Sequence, residues 1–188
     1  MIHKRCPGHL LIANPSNPLD ELSESVILLI SHDDNLAMGL QINNPIADTS
    51  LQGVSDNLGI PLPGEDKLWF GGKISQNKVH VIHSTDWLSV SSTLINDDLA
   101  VTNDVSVLAA LSLGSGPEFF RACVGHWACN GKDLDLGLAA QHPFPGIFCK
   151  HRWETIPATP ELIFNNEGPE QWRQLLDAST RQQIESWF

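Results

Sequence analysis

The chain is short of positive charge. Its 188 residues hold 11 Lys and Arg against 22 Asp and Glu, a formal net charge of 11 − 22 = −11. No run of Lys or Arg occurs anywhere in it. A surface of that sign repels polyanions, which argues against direct nucleic-acid contact and against adsorption to anionic lipid. Long apolar runs are also missing. The longest, Val26 to Ile30, has strand length, well below the roughly 18 residues that a membrane-spanning helix needs. The basic start Met1–Arg5 leads straight into Cys6-Pro7-Gly8-His9, which interrupts any signal-peptide core, so a soluble cytoplasmic protein without membrane attachment is expected. Tyrosine is absent, while there are six tryptophans. Trp127, Trp153, Trp172 and Trp187 sit among acidic and apolar residues rather than the basic ones that a base-stacking platform requires. They read as core or self-association residues. With 41% hydrophobic and 18% charged residues, the chain has enough apolar material to order itself as one domain over residues 1–188.

Apolar runs and breakers divide the chain into short elements. Leu10–Ala13 reads as a strand, and Ser25–Ser31 as a strand buried on both faces. Asp33-Asp34-Asn35 makes a turn into a strand over Ala37–Asn43, giving a hairpin that Pro45 ends. Thr49–Leu58 has helical spacing. Leu68–Phe70, Val79–His83 and Leu99–Val101 read as strands, the first two joined by a polar turn at Ser75-Gln76-Asn77. Asn103 or Asp104 is expected to cap a helix over Val105–Leu113 that Gly114 stops. Phe119–Val124 fits a strand, Leu134–Ala140 a helix, and Ile147–Glu154 an alternating strand. Thr159-Pro160 is a helix start, Pro169 begins another, and Thr180 is expected to cap a last one. Hairpin strands followed by peripheral helices, without a regular βαβ alternation, indicate α+β.

Several residue groups carry chemistry in print. Cys123-x-x-His126-x-x-Cys129 with Cys149-x-His151 supplies soft ligands, but the spacing lacks paired C-x-x-C knuckles. Strict strand alternation would also set Cys123 and His126 on opposite faces. The same rule separates His80 from His83. Buried, reduced thiols are the structural reading of the cysteines. His83-Ser84-Thr85-Asp86 has the letters of a triad, but adjacency in sequence is not triad geometry. Gly71-Gly72-Lys73 lacks the P-loop spacing, so its glycines are expected to serve close backbone approach or a positive φ. His32-Asp33-Asp34 reads as a turn rather than a hard-cation site. No catalytic set, metal or cofactor emerges.

Taken in order, Gly8-His9-Leu10-Leu11-Ile12-Ala13-Asn14-Pro15, Ser25-Val26-Ile27 and Ala37-Met38-Gly39-Leu40-Gln41-Ile42-Asn43-Asn44-Pro45 resemble the opening of the YqgE/AlgH family. Leu68-Trp69-Phe70-Gly71-Gly72, Val79–Ser84, Asp98–Thr102, Gly114-x-Gly116-Pro117 and Pro157–Phe164 with Trp172 are similar to its later motifs. The chain departs from the family at Gly125-His126-Trp127-Ala128-Cys129, where the pattern is G-Y-A-G-W, and residues 141–150 look like an insertion. The resemblance implies a mostly antiparallel, bifurcated β-sheet folded into a partial barrel with peripheral helices, in a cytosolic bacterial protein. Some members are described as regulators of alginate production, and no catalytic set comes with the family. A non-enzymatic regulatory or protein-interaction role is therefore expected, with indirect rather than DNA-bound control of transcription and with a protein partner. The alternative is a small-ligand binder or enzyme with a pocket near Gly71-Gly72 and His83. The matching positions His32, Asn43, Gly71, Gly72, His83 and Gly125 are the candidate pocket residues. Oligomeric state is left open.

Overall fold

The computed structural model describes residues 6–57, 59–61, 66–139 and 151–185. Along them run β1 (His9–Ala13), β2 (Val26–His32), β3 (Ala37–Gln41), β4 (Pro45–Ser50), α1 (Leu51–Asn57), β5 (Lys67–Phe70), β6 (Ile74–Ser84), β7 (Thr93–Leu94), β8 (Leu99–Thr102), α2 (Ser106–Ser112), β9 (Phe120–Cys129), α3 (Gly131–Ala139), β10 (Trp153–Pro157), α4 (Pro160–Phe164) and α5 (Gly168–Glu185). The architecture is α+β: a mostly antiparallel sheet, curled into a half-barrel, with helices packed against it. The sheet order is β10-β1-β2-β3-β9-β6-β8-β7, with β4 and β5 branching from it. Among the described strands, β5 and β9 form the one parallel pair.

The branch explains the bifurcation. One edge of β9 pairs with β6 from Phe120 to His126. The other edge is shared: Ala122–Val124 pair with β5 and Trp127–Cys129 with β3. The two partners diverge at Gly125, whose φ of 71° only glycine adopts easily.

The first strands are apolar at consecutive positions because both of their faces are covered. Leu10, Ile12, Leu28 and Leu40 pack under α4 and α5, while Leu11, Ala13, Ile27 and Leu29 pack with Leu134 of α3 and Trp153 of β10. A third cluster joins Leu51 of α1 and Val107 and Leu108 of α2 to Leu68, Val81 and Ala122. Each fully buried Leu or Ile contributes about 1.5–3 kcal/mol. The Trp172 indole N–H donates to the Ala13 carbonyl at 2.8 Å, which fixes the roll of α5 on β1. Thr159 caps α4, accepting from the Leu162 N–H, with Pro160 in the first turn as expected.

Local signals misplace several boundaries. Pro45 does not end strand structure; it begins β4, opposite Trp69 of β5. Ser75-Gln76-Asn77 is not a turn between strands but part of an 11-residue β6, where an irregular register and a positive φ at Ser75 absorb the polar residues. β9 continues past Val124 because Gly125 bends it rather than stopping it. Val105 occupies the cap position of α2, while Asp104 accepts from the Ser106 N–H just outside the helix. β10 starts at Trp153 and ends at Pro157, later than its alternation suggested; residues 147–150 lie outside the described residues. No break separates two helices at Thr180. α5 is continuous over 18 residues, and the Thr180 hydroxyl donates back to the Leu176 carbonyl.

Candidate functional site at the sheet fork

The expected site residues divide among four places. Gly71, Gly72 and Gly125 meet at the fork. The Gly71 N–H donates to the Val124 carbonyl at 2.8 Å, and its carbonyl accepts from the Gln41 N–H at 2.9 Å. A Cβ at Gly71 would strike the Gly125 carbonyl, and one at Gly72, where φ is 150°, would overlap the His126 backbone. Close approach and positive φ are thus both realised, as the sequence indicated. Beside the fork lies a cleft of about 190 Å³, lined in part by Gln41, Phe70, Gly72, Lys73 and His126. Lys73 reaches Glu21 across it at 3.2 Å; a backbone hydrogen bond first, and Lys73 second, hold the Glu21 carboxyl below its usual range.

Asn43 is a clamp. Its Oδ1 accepts from the Val26 N–H at 2.9 Å, and its Nδ2 donates to the Glu24 and Gly168 carbonyls at 2.8 and 3.2 Å. It ties the β1–β2 connection, the end of β3 and the start of α5 together. His32 is buried beneath α3, where its Nε2 donates to the Gly131 carbonyl at 3.2 Å and lies 3.3 Å from Asp135 Oδ1. The Asp33 carboxylate beside it accepts from the Asn35 and Leu36 N–H groups, the turn that was expected.

His83 is fully buried on β6. Its Nδ1 lies 2.9 Å from the Ser84 carbonyl, which can only accept. Nδ1 therefore carries the proton, and Nε2 accepts from the Ser92 hydroxyl at 3.4 Å. The neighbouring Ser84 hydroxyl donates to Asp86, so the triad letters do not act on one another in triad order. Ser92 was not singled out in the sequence; nothing local marks it, because it arrives through the β6–β8 connection.

His32 and His83 do not share a cleft. His32 pairs with Ala37 and Ala37 with Cys129, whereas His83 pairs with Phe120. Those levels are nine residues apart on β9 (129 − 120), or about 30 Å at strand rise.

The soft-ligand groups rearrange as well. The bend at Gly125 cancels the alternation, so the His126 ring meets His80, the strand partner of Cys123, at 5.7 Å between centroids. His80 Nε2 and His126 Nδ1 are buried without a hydrogen-bond partner among the described residues. Burial first, then the nearby His126 and Lys78, pushes the His80 pKa down. The Cys123 thiol is buried and raised to about 12 by desolvation, too high for a nucleophile at neutral pH. His151 bonds Asp20 at 2.9 Å; Cys149 lies outside the described residues. Among the described residues no three such side chains gather around a common point.

Arg121 is the residue that sequence reasoning passed over. It is 5% exposed and projects from β9. Its guanidinium carbon stacks 3.7 Å from the centroid of Trp69. Nη1 donates to the carbonyl of Ile42 and to Gln171 Oε1, and Nη2 to the Asn166 carbonyl at 3.1 Å. Burial lowers its pKa to about 10, which still leaves it charged. It lines an open cleft of about 370 Å³ with Trp69, Phe119 and Phe164. A lone Arg in an apolar strand carries no periodic signal, so only the tertiary packing marks it.

A family model described as AlgH-like matches residues 10–183. The chain belongs to the AlgH-like family. A UPF0301 protein of Cereibacter sphaeroides is 31% identical over 173 residues, covering 90% of this chain and 89% of its own. One from Aliivibrio fischeri is 29% identical over 177 residues, with the same coverage. The solution structure of the AlgH protein from Pseudomonas aeruginosa superposes with a TM-score of 0.72 at 26% identity, covering 94% of this chain and 88% of that one. The crystal structure of protein DIP2367 from Corynebacterium diphtheriae, at 18% identity, shares the fold with a TM-score of 0.70, covering 92% and 86%. No described helix is long and apolar enough to cross a membrane.

Proposed function

We propose that this chain is a non-enzymatic, cytoplasmic regulatory protein that acts through a protein partner. The observation that carries this reading is the end of the sheet at β7. That strand is the last in the sheet order, and the connection around it leaves Leu88, Val90 and Leu94 exposed. An unpaired strand edge flanked by exposed apolar side chains is a template for another strand. The partner is accordingly an extended segment with alternating apolar residues that adds to β7. Two further features support the reading. The His83 imidazole and the Asn43 amide are engaged by the fold itself, and burial pushes the Cys123 thiol up, away from its thiolate. The net charge of −11 makes direct DNA contact an unfavourable route to regulation.

The test is comparative capture from native lysate with wild type and a Val90→Asp/Leu94→Lys variant. Both positions are exposed, so the variant is expected to fold. A protein retained by wild type and lost with the variant supports the reading. No captured protein, or identical capture by both, overturns it. Low-salt affinity for DNA in a salt titration would overturn the indirect route.

A further inference from the structure

We propose that the cleft at Arg121 binds a small monocarboxylate with a flat apolar body. The proposal goes beyond the partner edge at β7 and does not depend on it.

A guanidinium has five N–H donors. Two on Nη1 reach Ile42 and Gln171, and one on Nη2 reaches Asn166. Nε–H and the second Nη2–H have no acceptor among the described residues. Nε and Nη2 flank one edge of the guanidinium, the edge that takes a carboxylate by two parallel bonds. The three acceptors already bound are all neutral carbonyl oxygens, so none of them cancels the charge. Arg121 is also held rigidly: stacked on Trp69 and anchored to three elements, it loses little further freedom on binding.

The walls define the rest of the ligand. Phe119 and Phe164 stack at 5.9 Å between centroids, 21° from parallel, and line the same cleft. Phe119 is 45% exposed, so its ring is free to cover an incoming planar group. Lys67, also on the wall, is already engaged by both Glu167 oxygens at 2.6 and 2.7 Å. Asp66 and Glu118 add negative charge to the rim. With one cation that has no direct ion pair among the described residues, the Glu167 carboxylate already acting on it from nearby, and an acidic rim, a monoanion is favoured over a dianion such as phosphate. At about 370 Å³ the cleft suits a small ring compound.

Benzoate is the probe. In the full-length protein, NMR should show saturable shifts of the Arg121 Nε–H and the Trp69 indole N–H, beyond those given by chloride at equal ionic strength. Arg121→Lys keeps the charge but loses the fork, and is expected to weaken benzoate by about tenfold or more. Phe119→Ala removes a half-exposed wall and should weaken it by about fivefold. Inorganic phosphate should bind more weakly than benzoate. The proposal is overturned if benzoate shifts neither resonance, if the Lys variant binds like wild type, or if phosphate binds as tightly. Should the Lys variant fail to fold, the wild-type titration and Phe119→Ala decide: unchanged affinity in Phe119→Ala overturns the assignment.

Discussion

Asn43 and Arg121 are both buried polar side chains that fasten the C-terminal helices to the sheet, and they do it differently. Asn43 uses both amide hydrogens and its oxygen on backbone groups of two other segments. Both of its donors are spent. Arg121 uses three donors on neutral oxygens, leaves two without an acceptor among the described residues, and lines an open cleft. A buried polar group whose bonds are complete is architecture. One with unspent donors beside a cleft has capacity for recognition.

The largest effect is expected where the two regions are held apart, at the fork. Gly72→Ala places a Cβ into the His126 backbone at a φ few side chains adopt, so a loss of about 4 kcal/mol or more is expected in chemical denaturation. Next comes the direct contrast. Asn43→Ala leaves the buried Val26 N–H and the Glu24 carbonyl without this partner and should cost about 3 kcal/mol. Arg121→Met also strands acceptors, but it removes the cost of burying a charge, so about 1–2 kcal/mol is expected. Equal urea midpoints for the two variants would break the comparison and make Arg121 a clamp as well. Thr159→Ala removes the cap of α4, which carries Phe164 on the cleft wall. It should cost about 1 kcal/mol and lower the thermal midpoint without unfolding the sheet. The smallest effect concerns pH. The His80 pKa is depressed below 6.5 in the folded state, so the unfolded chain binds more protons there. The stability from keeping His80 neutral is full above pH 6.5 and is lost as pH falls from there through the folded pKa. His80→Gln should flatten that acid limb of the urea midpoint; an unchanged slope would refute the assignment.

Much of the fold is legible locally because local rules decide it. Thr159-Pro160 starts a helix, Asp33 closes a turn, and consecutive apolar residues in Val26–Ile30 demand cover on both faces. Gly71-Gly72 announced a close approach without saying to what. Two of the errors share a cause: β6 and β9 absorb polar residues and a glycine by bulging, because pairing with each other is worth more than local propensity. The site was less legible. His32, Asn43 and His83 were reasonable candidates as residue types, yet each is engaged in a different part of the molecule, a distribution no spacing rule conveys.

The sequence by itself determined the sign of the surface, the α+β class and the family, since charge, pattern and ordered motifs are properties of the chain alone. Tertiary structure decided which polar groups are spent and which are not. Hydrogen bonds between residues as distant as Ile42, Arg121 and Gln171 exist only after the strands and helices have packed. Whether a buried donor finds an acceptor is settled by that packing.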